Sequence, residues 1–61
     1  MKLTDAKKLH NGDEVISKDN NGESIKVLSV EEWPNEDGSL VRIEGVGTKS
    51  GYRWWTHTEV R

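Results

Sequence analysis

Apolar side chains in this chain fall into short runs at strand spacing, separated by stretches of glycine, asparagine and acid. The alternation is cleanest over Leu40-Val41-Arg42-Ile43-Glu44, which predicts a half-buried strand with Val41 and Ile43 inward and Arg42 and Glu44 outward. Upstream, Glu14-Val15-Ile16-Ser17-Lys18 predicts a first strand ended by Asp19-Asn20-Asn21-Gly22, where Asn-Gly is a strong hairpin signal. Ser24 to Trp33 predicts a long strand whose Ile25, Val27, Leu28 and Val30 occupy both parities, so it should bend and change faces. Pro34-Asn35-Glu36-Asp37-Gly38 reads as the next turn. Gly45-Val46-Gly47-Thr48-Lys49-Ser50-Gly51 reads as a flexible connection whose glycines permit positive backbone angles. Ahead of the strands, Thr4 followed by Asp5-Ala6-Lys7-Lys8-Leu9 predicts a capped helical turn fastened by Leu3 and Leu9. After them, Thr58-Glu59-Val60-Arg61 predicts a turn and closing strand, with Val60 plugging one end of the core.

The segment Gly51-Tyr52-Arg53-Trp54-Trp55-Thr56-His57 carries the most chemistry. As a strand it sends Tyr52, Trp54 and Thr56 to one side and Arg53, Trp55 and His57 to the other. With Trp54 as the core residue, Trp55 lies outside between Arg53 and His57, a grouping able to stack, make cation–π contacts and hydrogen-bond. The competing reading packs Trp55 beneath the N-terminal turn or a loop. Trp33 reads as a rim residue over an open barrel end, or as part of a binding platform with Arg42 and Arg53 if it shares a side with Trp55.

Length and composition narrow the class. Sixty-one residues make one domain, 1–61, near the lower size at which a single core offsets chain entropy. Cysteine is absent, so neither disulfides nor thiolate metal sites reinforce it, and the three tryptophans become important to the core. No run has signal-peptide or membrane-span length, and a cytoplasmic location is the expectation. A net charge of −2 weighs against general nucleic-acid binding, although Lys26, Arg42, Lys49 and Arg53 could form a local basic stripe.

Five short strands joined by glycine-containing turns, with a short N-terminal helical turn, predict an all-β, SH3-like, partly open barrel. Leu9-His10-Asn11-Gly12-Asp13-Glu14-Val15, then Gly22, then Val27-Leu28-Ser29-Val30, resembles the opening of small SH3-like domains, including KOW-type domains and short bacteriophage-encoded proteins. That resemblance covers the first half of the chain. It implies either a phage-type accessory protein that modulates host machinery or a KOW-like nucleic-acid-binding domain. Trp54-Trp55 also resembles the double tryptophan of signalling SH3 domains, but the aromatic opening and the continuation of those domains are missing, so polyproline recognition does not follow.

Catalysis finds no foothold in the spacing. The glycine-rich segment 45–51 departs from a phosphate loop in residue order and is followed by a strand instead of a helix. His10 and His57 have no metal-ligand spacing, and Glu31, Glu32, Glu36 and Asp37 lack a calcium-loop pattern. Ser50, His57 and Glu59 form no nucleophile–base pattern. The expectation is a non-enzymatic module, with no cofactor, that binds a protein partner through Trp55, Arg53 and His57, with Arg42, Lys49, Lys26 and Trp33 contributing. The alternatives are nucleic acid, on which Trp55 would stack, and self-association with Trp55 buried against a second copy.

Overall fold

The computed structural model describes residues 1–19, 21–35 and 38–61. A helical turn, α1 (Leu3–Ala6), precedes β1 (Glu14–Ile16), β2 (Ser24–Asn35), β3 (Gly38–Gly47) and β4 (Gly51–Thr56), and a 3-10 turn spans His57–Glu59. Among the described residues the strands form one antiparallel sheet in the order β1-β2-β3-β4. Helix α1 starts one residue before Thr4, and its N-cap, Lys2, makes no side-chain capping bond, so the expected Thr4 cap is corrected. The turn is held from outside instead, by packing of Leu3 and Leu9 on the core and by Lys7 Nζ at 3.2 Å from Glu32.

Strand β2 is longer than its apolar pattern indicates, because pairing continues through Trp33↔Leu40 and Pro34↔Ser39 to Asn35↔Gly38. Pro34 is tolerated since β1 pairs only with Ser24–Lys26, leaving the far end of β2 as an edge. Glu36 and Asp37, expected as turn, and Asn20, expected in the turn after the first strand, lie outside the described residues. The expected bend is present as a shift of register between Val27 and Ser29. Ile25 and Val27 are buried before the shift, and Val30 packs on the core after it, which accounts for apolar residues on both parities.

Segment 45–51 is mostly strand. Gly45 and Gly47 sit in β3 and serve close approach instead of positive φ. A Cβ on Gly45 would come within 2.7 Å of the Lys26 carbonyl oxygen, and one on Gly47 within 2.5 Å of Glu23 Oε1. Only Thr48-Lys49-Ser50 turns, and it pairs Gly47 with Gly51. A turn of odd length keeps residues of equal parity on one face, so inward Ile43 pairs with Trp55. Trp55 is therefore core, 2% exposed, and the expected placement of Trp54 inside and Trp55 outside is reversed.

The core comprises Ala6, Val15, Ile25, Val27, Val41, Ile43, Trp55 and Val60. Val60 is fully buried, as its position after the last turn suggests. Here the chain end returns to β1: Ser17 bridges Val60, Lys18 N–H donates to the Glu59 carbonyl at 2.9 Å, and Arg61 N–H to the Ile16 carbonyl at 2.8 Å. The Met1 amino group donates to the carbonyls of His57 and Val60.

Candidate functional site

The outward parity of the sheet carries the large exposed side chains: Trp33 and Trp54 at 47%, Val46 at 42% and Tyr52 at 68%. Pairing brings them together, because Trp54 lies opposite Glu44, Tyr52 opposite Val46, and Arg42 opposite Glu31. Four apolar groups on one face of so small a sheet form a continuous patch instead of scattered single exposures.

Arg42 organises the patch. Its guanidinium carbon lies 5.4 Å from the Trp33 ring centroid and 4.8 Å from that of Trp54, so the cation stands between two indoles. Its Nη2 is 3.7 Å from Glu44 Oε1, while its buried Nε has no hydrogen-bond partner. Glu44 Oε2 accepts a 2.9 Å bond from the Tyr52 hydroxyl. That bond, reinforced by the carboxylate charge, holds the Tyr52 phenol above its ordinary pKa of about 10. Tyr52, Glu44, Arg42 and the two indoles are thus one connected surface.

The expected site divides. Trp33 and Arg42 join this surface, and Lys26 borders it opposite Val46. Arg53 keeps its predicted company with Trp55, its guanidinium 4.8 Å from the ring centroid, where it covers a core residue instead of flanking an exposed one. His57 opens the 3-10 turn, and its Nδ1 accepts the Val41 N–H at 3.2 Å, so its ring closes off β3. Lys49 lies in the β3–β4 turn. The N–H groups of Lys49 and Ser50 donate to Glu23 Oε2 at 3.0 and 2.9 Å, so the turn's donors hold an internal carboxylate where a phosphate loop would hold its ligand.

Trp54, Tyr52 and Glu44 were missed as site residues. Hairpin parity could have found them. Once Val41 and Ile43 are inward, any odd-length connection from β3 puts Trp55 inward and Tyr52 and Trp54 outward. The polar neighbours of Trp55 pointed the other way, yet Arg53 is long enough to lie along the indole and reach solvent from a core position.

Among the described residues there is no pocket, and no group of three metal-ligating side chains comes together. No helix is long and apolar enough to cross a membrane. The surface is suited to contact over an area. Searches of protein families, curated proteins and solved structures return no match to this chain.

Proposed function

We propose that this chain is a non-enzymatic binding module that takes a protein partner on the outer face of its sheet. The carrying observation is the pair of half-exposed indoles, Trp33 and Trp54, fixed on either side of Arg42. Tryptophan, tyrosine and arginine are the residues on which interface energy concentrates, and here they are held in place before any partner arrives. The reading keeps the tryptophan strand but exchanges its face: the expected side, that of Trp55, is turned into the core, and the proposed side is that of Tyr52 and Trp54.

The fold that would carry this face is an SH3-like, partly open barrel. The Ser17–Val60 bridge supports it, since the residue after the 3-10 turn returns to β1 as a fifth, minimal strand. A phage-type accessory protein acting on larger machinery fits such a module by analogy alone. The alternative, a KOW-like nucleic-acid binder, would use the same indoles for stacking. Glu31 and Glu44 on the same face and the net charge of −2 oppose it.

A photo-crosslinking residue placed at Val46, within the patch, tests the proposal against one at exposed Lys8 outside it. Discrete protein adducts from position 46, lost in Trp54→Ala and without the steep fall between about 50 and 200 mM salt that phosphate contacts show, are the expected result. Equal adducts from both positions, or co-purifying nucleic acid released by salt, would reject it.

A further inference from the structure

The geometry points to the kind of partner. We infer that the segment bound on this face is extended and basic, recognised through arginine side chains. The inference rests on the binding-module reading above and adds the partner's chemistry.

The surface already holds a guanidinium. Arg42 shows what these groups accept: a planar cation with an indole on each side and a carboxylate near its edge. Trp33 and Trp54 are each still 47% exposed, so ring surface remains for a second cation. Guanidinium suits such a surface better than ammonium does, because it is planar and weakly hydrated and stacks on an aromatic face while its N–H groups meet a carboxylate.

Charge points the same way. Arg42 lies beside Glu44, and Lys26 stands opposite Glu14 across the strand pair, so each of these two cations has a carboxylate neighbour. Glu31, exposed and opposite Arg42, adds a further negative charge to the same parity. An anionic segment would meet carboxylates, whereas a cationic one meets aromatic faces with acids at their edge.

Shape limits the ligand to a chain. Without a pocket among the described residues, a small cation alone would be poorly enclosed. The two indole centroids lie within about 10 Å of each other, a span that alternate side chains of an extended strand can cover.

The test uses peptides of about nine residues with arginine at every second position, set beside matched lysine and glutamate peptides and an oligothymidylate. The readout is the indole N–H resonances, with buried Trp55 as an internal control. The arginine peptide should move the Trp33 and Trp54 signals saturably and leave Trp55 in place. The lysine peptide should bind about fivefold or more weakly. Trp54→Ala, shown to be folded by its unchanged Trp55 signal, should lose about tenfold in affinity, and Glu31→Lys should weaken binding without changing the fold. The inference is overturned if the arginine peptide leaves both signals unmoved, binds Trp54→Ala equally, or is matched by lysine, glutamate or oligothymidylate. If position 46 still yields protein adducts after such a failure, the binding module stands and only the arginine preference falls.

Discussion

Adjacent tryptophans with opposite surroundings should respond to truncation very differently. Trp55 is 2% exposed, and replacing such a residue by alanine costs about 3–5 kcal/mol. A domain of this length has only about 3–9 kcal/mol in total, so Trp55→Ala should be largely unfolded or close to it. Trp54→Ala removes a half-exposed ring and should stay within about 1 kcal/mol of the parent. Urea denaturation of both variants checks this, and equal losses would mean that the two faces are assigned wrongly. Tyr52 offers a second test. As the chain's one tyrosine, its phenolate absorbance can be assigned without ambiguity. Its midpoint should lie above about 10 and fall back in Glu44→Gln. The hydrogen bond's contribution to stability is complete below the unfolded pKa. It is lost as pH rises through the higher folded pKa, because the unfolded chain releases its proton first.

At the scale of the element, the β3–β4 hairpin depends on a residue outside it. Glu23 precedes β2, is 3% exposed, and ties down the turn through the N–H groups of Lys49 and Ser50. Its carboxylate fits only because Gly47 has no side chain. Gly47→Ala should therefore cost about 1–3 kcal/mol, since the fastened carboxylate cannot swing aside. Glu23→Ala should cost about 1 kcal/mol or more by removing the acceptor of two partly buried turn N–H groups. The double variant should lose less than the two single losses combined, because removing Glu23 also removes the clash, and a thermodynamic cycle would read that coupling. Simple additivity would mean that carboxylate and glycine do not meet. None of this was legible in the chain: Glu23 sits in a polar stretch that reads as turn, and the purpose of Gly47 depends on a residue 24 positions away. Features set by local pattern were legible, among them the centres of the four strands, the bend within β2 and the burial of Val60, while the strand ends at 34–35 and 45–47 read as turn. The face of Trp55 lay between these cases. Its immediate neighbours favoured the surface, while alternation carried across the turn favoured the core, and the longer-range constraint prevailed because register binds a whole strand at once.

At the scale of the whole molecule, the question is whether the exposed face must be covered for the chain to fold. Self-association through Trp55 no longer has its residue, since that ring is buried by its own chain. The accessible surface is 4014 Å², against about 4000 Å² expected for a folded monomer of this mass, so no excess surface calls for a second copy. Sedimentation equilibrium should accordingly return the 6.9 kDa monomer across a wide range of protein concentration, with a denaturation midpoint independent of concentration. A midpoint that rises with concentration would show that assembly contributes to folding. If Trp54→Ala abolished that rise, the aromatic face would be an interface between copies, and the arginine-bearing partner would have to compete with a second copy of the chain for the same indoles.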